Sequence, residues 1–187
     1  RQDDLRELLV AEHGEEHGLE LATRYGRAHP VGYVQEVSPR LVAADIRHLD
    51  SLRTPDDLAL SLHRSHRGQG GLRFKFYRQL DDIPLTDALP MIENMGLRVI
   101  SEHPYRIELP GDTGMIEPVY IQDFEVELAP AKGARGEIDI DAIDEQFEEA
   151  FLQVWRGLAE NDGFNRLILA AGLDWRQVGM LRGYTKY

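Results

Sequence analysis

Two histidines one helical turn apart, with a glutamate between them, are the first groups in this chain of 187 residues whose types and spacing could do chemistry. His13-Gly14-Glu15-Glu16-His17 fits the H-x-x-E-H pattern, in which two imidazoles on one helical face bind zinc and the glutamate serves as general base. Such a site needs a third protein ligand, and with no Cys in the chain that ligand must be His, Asp or Glu. Gly14 and Gly18 also weaken the helix that the pair requires. A small zinc-dependent hydrolase using His13 and His17 is therefore one expectation, and a solvated helix face is the other.

Three further groups invite a chemical reading. His63-Arg64-Ser65-His66-Arg67 brings imidazoles and guanidiniums to what reads as a hairpin tip, where they could grip a phosphate or a carboxylate. The acidic run from Glu137 to Glu149 suggests a calcium loop. That fails at Ile143, where a ligand is needed, at Asp144, where the turn needs Gly, and at Ala150, where the closing Glu should stand. Acids at the start of a helix complement its dipole and explain the run. Gly68-Gln69-Gly70-Gly71 is not G-x-G-x-x-G, because Arg73 takes the third glycine position, and no P-loop or G-x-S-x-G elbow occurs.

The elements that must position these groups follow from periodicity. From Asp3 to Ala28 helical spacing is interrupted at Gly14 and Gly18, giving one broken helix or two short ones, ended by His29-Pro30. Ser38-Pro39 reads as an N-cap and first helical residue ahead of Val42, Ile46 and Leu49. Alternation at Leu58, Leu60, Leu62 and again at Leu72, Phe74, Phe76 surrounds a glycine-rich tip and predicts a hairpin. Thr86 is expected to cap a short helix ended by Gly96. Leu97–Ile100 and Tyr105–Leu109 read as strand around Pro104, and Gly111–Gly114 turns the chain into Val119–Leu128, with a change of face near Asp123. Ile140, Ile143, Phe147, Phe151, Val154 and Leu158 form the strongest helical stripe. Phe164–Ala171 is a short helix stopped by Gly172, and Asp174 caps a last helix from Trp175.

If Val31–Val37 supplies a weak first strand, the middle of the chain is a βαββαβ ferredoxin-like sandwich with an extra edge strand. Otherwise it is a looser sheet with helices on one face. The fold class is α+β in both cases, flanked by helical segments, with divisions expected at 1–30, 31–130 and 131–187. The other sheet face, carrying Arg73, Lys75 and Tyr77, is expected to meet solvent or a neighbouring domain.

Composition sets the outer bounds. Apolar residues make up 42% and charged residues 29%, and 33 acids against 21 bases leave a net charge of −12, which argues against nucleic acid and anionic membranes. No apolar stretch approaches a membrane span and no signal peptide opens the chain, so a cytoplasmic protein is expected. Opening on Arg1 and closing on Tyr187 within a helical pattern, the chain reads as an excerpt of something longer.

Three long strings carry a resemblance. Leu89-Pro90-Met91-Ile92-Glu93-Asn94-Met95-Gly96-Leu97-Arg98-Val99-Ile100 with Glu102-His103-Pro104-Tyr105, Asn161-Asp162-Gly163-Phe164-Asn165-Arg166-Leu167-Ile168-Leu169-Ala170-Ala171-Gly172-Leu173 with Trp175-Arg176, and Leu181-Arg182-Gly183-Tyr184-Thr185-Lys186-Tyr187 resemble segments of the large bacterial NAD-specific glutamate dehydrogenases. The likeness continues more loosely through Ala43-Ala44-Asp45-Ile46 and Leu72–Arg78, and departs from the family's usual residues at Gln122 and Glu125. It implies a parent enzyme that oxidatively deaminates L-glutamate to 2-oxoglutarate and ammonia with NAD. This chain would be an ACT-like regulatory and assembly module, or a purely structural connector, ahead of the catalytic domain. The implied partners are other domains of the same polypeptide, further copies in a homo-oligomer and an amino-acid effector. No catalytic, cofactor-binding or metal residue is carried onto this sequence, NAD belongs to the parent alone, and Lys186 receives no role.

Overall fold

A computed structural model describes residues 2–65, 71–111, 114–130 and 138–185, omitting the side chains of Val31, Val34 and Gln35. Four helices come first: α1 (Gln2–His13), α2 (Glu15–Tyr25), α3 (Val31–Glu36) and α4 (Pro39–Ser51). The sheet follows as β1 (Ala59–Arg64), β2 (Leu72–Gln79), then after α5 (Leu85–Asn94), β3 (Leu97–Pro110) and β4 (Ile116–Leu128). A 3-10 turn at Ile140–Ala142 leads into α6 (Asp144–Trp155). A second at Gly163–Arg166 leads into α7 (Leu167–Ala171) and α8 (Trp175–Thr185).

The strand order is β1-β2-β4-β3. Helix α5 therefore connects β2 to β3 with β4 inserted between them, a split βαβ unit. Taken with α6 after β4, the order is that of a ferredoxin-like sandwich whose last strand has been moved to the front. Val31–Val37 is thus not needed as a strand, and it is not one. Pro30 is extended at ψ 144 and starts the helical turn of α3 instead. Short runs of β-branched and aromatic residues do not separate strand from helix, and here Pro30 decides.

Two compact units divide these elements: residues 1–59, 76–82 and 104–122 form one, and 60–75, 83–103 and 123–187 the other. In the first unit, Leu9, Leu21, Tyr25, Ile46 and Leu49 share a core with Tyr77, Ile107 and Ile121. Helices α1 and α2 approach closely because residue 18 is glycine. A Cβ there would lie 2.5 Å from the Val10 Cα. In the second unit the Phe74 ring meets Phe147 and Phe151 edge-on at 5.2 and 5.1 Å, a favourable aromatic geometry.

Most sequence-derived caps hold. Ser38 Oγ accepts from the Leu41 N–H, Gly96 and Gly172 are left-handed at φ 91 and 65, and Asp174 Oδ1 accepts from the N–H groups of Arg176 and Gln177. The buried parity in β4 changes from Val119 and Ile121 to Phe124 and Val126, at the point where the strand passes from one unit to the other.

Several expectations are corrected. Thr86 does not cap α5, because the helix already begins at Leu85 after Pro84. Pro104 does not interrupt β3, since β3 is an edge strand where a missing N–H costs no ladder bond. Leu158 does not continue the α6 stripe. The helix ends at Trp155, Gly157 turns at φ 72, and Leu158 is 66% exposed. Of the two alternatives for the face of Arg73, Lys75 and Tyr77, solvent does not hold: Lys75 and Tyr77 are buried, and Arg73 makes paired contacts to Asp123 at 2.9 and 2.7 Å.

Candidate functional site

The H-x-x-E-H pair does not sit on one helix. Gly14, at φ 83, separates α1 from α2. The His13 and His17 rings lie edge to face at 5.6 Å. Both nitrogens of His17 are engaged, Nε2 with Asp50 at 3.0 Å and Nδ1 with Glu20 at 3.4 Å. The Asp50 contact, then Glu20, raises the His17 pKa above its ordinary value. Among the described residues no group of three His, Asp or Glu stands at metal-binding spacing.

The basic tip is likewise turned into the fold where it is described. His63 contacts Ser61 Oγ at 3.1 Å and Arg64 donates to the Ile138 carbonyl at 3.1 Å. His66, Arg67, Gly68, Gln69, Gly70, Glu137 and Lys186 lie outside the described residues. In the acidic run, Glu148 Oε1 accepts the Leu62 N–H at 2.7 Å, and Glu149 accepts from the Trp175 indole at 3.3 Å. Strand β1 is an edge, so Glu148 satisfies a backbone donor there. Burial, with Asp144 and Glu145 nearby, pushes its pKa up to about 7, while the Leu62 N–H opposes the rise.

Two polar clusters emerge that periodicity had not marked. In the first unit Asp45 is only 2% exposed. It accepts hydrogen bonds from the hydroxyls of Tyr33 and of Tyr77, the latter at 2.5 Å. Tyr33 stacks on His29 at 5.0 Å, and His48 meets Tyr77 edge-on at 4.7 Å. The His29 Nδ1–H donates to the Tyr25 carbonyl at 2.8 Å, and burial lowers its pKa.

In the second unit, the three strings that carry the family resemblance meet at one junction. Asn94, the last residue of α5, donates to the Asn161 side-chain oxygen at 2.9 Å. Asp162 then caps the 3-10 turn by accepting from the Phe164 N–H at 3.0 Å. Arg182 of α8 lays its guanidinium along the same carboxylate, with Nε at 2.7 Å and an η nitrogen at 2.9 Å, and reaches the Asn165 oxygen at 3.1 Å. Asn165 in turn donates to the Glu160 carbonyl at 2.8 Å. Gly96 completes the junction: a Cβ placed there would lie 3.6 Å from Arg166 Cγ. A paired guanidinium–carboxylate contact is both strong and directional, so it fixes α8 against the turn that also holds α5.

These arrangements orient helices and strands, and none places a nucleophile beside a base and an oxyanion donor. A usable signal for both clusters was a polar residue inside an apolar stripe. Asp45 sits between Val42 and Ile46, and Arg182 four residues after the buried Val178.

Among the described residues no helix is long and apolar enough to cross a membrane. Family models of glutamate dehydrogenase match in sequence order: helical motif 2 over residues 8–52, the ACT3 domain over 57–143 and helical motif 3 over 159–187. The NAD-specific glutamate dehydrogenase of Halomonas elongata is 38% identical over 187 residues, which is 100% of this chain and 11% of that protein. The enzyme of that name from Pseudomonas aeruginosa is 35% identical over the same span, again 11% of its length. That from Mycobacterium tuberculosis is 31% identical over 172 residues, 89% of this chain and 10% of that protein. The chain thus spans roughly a tenth of the length of these relatives. Carrying helical motif 2, ACT3 and helical motif 3 in that order, it belongs to the family of NAD-specific glutamate dehydrogenases.

Proposed function

We propose that this chain is a non-catalytic regulatory and assembly module of an NAD-dependent glutamate dehydrogenase, whose reaction converts L-glutamate, NAD and water to 2-oxoglutarate, ammonia and NADH. The junction of α5, the Asn161–Arg166 turn and α8 carries this reading. It ties an ACT-type helix to a following helical motif through charge-assisted hydrogen bonds, the type of connection by which a displacement in one element biases another. Residues 8–52 and 159–187 are then helical attachments that precede and follow the ACT domain in sequence.

The described residues offer no strand–glycine turn–helix cradle for NAD. Gly71 leads directly into strand β2 rather than a helix, so no helix N-terminus follows it to receive a pyrophosphate. Cofactor and substrate chemistry are assigned to other parts of the parent polypeptide. Purified chain supplied with L-glutamate and NAD is expected to form no NADH above a protein-free control, and sustained turnover would overturn the proposal.

A further inference from the structure

We propose that the cleft between α1 and α2 binds a small α-amino acid as its zwitterion, with Arg6 and Arg27 on the carboxylate and Asp3 on the ammonium. The cleft has a volume of about 470 Å³, within the range of small-molecule sites. Its apolar part is formed by Leu5, Leu19 and Ala22, and the Gln2 amide donates across one end to the Gly26 carbonyl at 3.3 Å.

The charges in it are what make it informative. The chain has 33 acids and 21 bases, so a guanidinium readily finds a carboxylate, and Arg24 on α2 lies 3.9 Å from Glu117. Arg6 and Arg27 share one concavity, and among the described residues neither has an ion pair or hydrogen bond. Asp3, in the same lining, is also without a partner among those residues. Two guanidiniums match a carboxylate through planar paired hydrogen bonds. A third, opposite charge disfavours a dicarboxylate and favours a ligand with an ammonium beside its carboxylate. The side formed by Leu5, Leu19 and Ala22 suits an aliphatic side chain.

The proposal rests on the module reading only in making the ligand an effector. Binding is measured without any dehydrogenase activity, so lack of binding and NADH formation are separate failures. The probe is L-valine, titrated into the whole chain and followed by amide chemical shifts. Two half-ligands accompany it: 3-methylbutanoate, which lacks the ammonium, and isobutylamine, which lacks the carboxylate. Saturable shifts in α1 and α2 are expected in the millimolar range or below, weakened about tenfold or more by Arg27→Gln. Asp3→Asn is expected to weaken L-valine while leaving 3-methylbutanoate unchanged, a pattern that general loss of structure does not produce. Both side chains are exposed, and thermal unfolding of each variant checks that the fold persists. No saturable shift, shifts indifferent to Arg27→Gln, or 3-methylbutanoate binding as tightly as L-valine would each overturn the assignment.

Discussion

Each unit holds a structural carboxylate, and the two use opposite kinds of partner. Asp45 in the first unit is almost wholly buried and is held by neutral phenol donors from Tyr33 and Tyr77. Asp162 in the second is 34% exposed and faces the guanidinium of Arg182, itself only 8% exposed. Where water is excluded, the carboxylate depends on its hydrogen bonds; where water still reaches it, the buried member of the pair is the cation. The cost of a deletion should therefore follow which partner is left stranded rather than the nominal strength of the contact.

The sharpest way to break this contrast is at Asp45. Asp45→Ala strands two buried hydroxyls and opens a small cavity, and should cost about 3–4 kcal/mol in denaturant unfolding. Tyr77→Phe, which removes one donor and little volume, should cost about 1–3 kcal/mol. Loss of less than about 0.5 kcal/mol in both, the level of an ordinary surface change, would refute the role given to this carboxylate.

At the junction the same order is expected for a different reason, because the group left stranded is the cation. Asp162→Ala leaves a buried guanidinium with Glu160 and Asn165 as its remaining partners and also removes a helix cap. A loss of about 2–3 kcal/mol is expected. Arg182→Met keeps much of the packing and leaves behind a partly exposed carboxylate and the neutral Asn165 oxygen rather than a buried charge, so it should be milder. Equal costs would mean that exposure does not set the balance.

Glu148 adds a pH-dependent effect. Its folded pKa of about 7 lies above its ordinary value of 4.5, so the folded state binds the extra proton between these limits. Its contribution is complete below pH 4.5 and is lost as pH rises through 7. Glu148→Gln keeps an acceptor for the Leu62 N–H and removes the charge. Above neutrality the variant should be the more stable by about 1–2 kcal/mol after allowance for solvent screening, with a flatter stability profile from pH 5 to 8. An unchanged profile would show that this carboxyl is solvated.

The smallest effect belongs to the exposed imidazole. His17 should titrate above its ordinary value in an NMR pH series, and Asp50→Asn should return it most of the way, because Asp50 is the largest cause of the shift. The raised pKa favours the folded state below 6.5, and that contribution is lost as pH rises through the folded value.

Much of the fold was legible wherever one local rule had no competitor. Ser38-Pro39, Gly96, Gly172 and Asp174 marked helix ends because caps and left-handed turns admit few residue types. The alternation at Leu72, Phe74 and Phe76 marked a strand for the same reason. Misreadings arose where tertiary context decided. Tyr77 looked like the outward partner of Phe76, yet β2 serves one core through Phe74 and another through Tyr77. Leu158 fits the helical period, but Gly157 ends the helix before it. A polar residue in an apolar stripe flags Asp45 and Arg182 as buried, but what each one does shows only once its partner is found 12 or 20 residues away.

The junction itself is most directly tested by hydrogen exchange along α8 in the purified chain, comparing Asn94→Ala with Arg182→Met. Asn94 does not belong to α8, and its hydrogen bonds to Asn161 link it to the turn that Arg182 grips. If α5, the turn and α8 form one coupled element, both substitutions accelerate exchange at Val178–Thr185. Acceleration in Arg182→Met alone, with α8 protection unchanged in Asn94→Ala, would contradict the account.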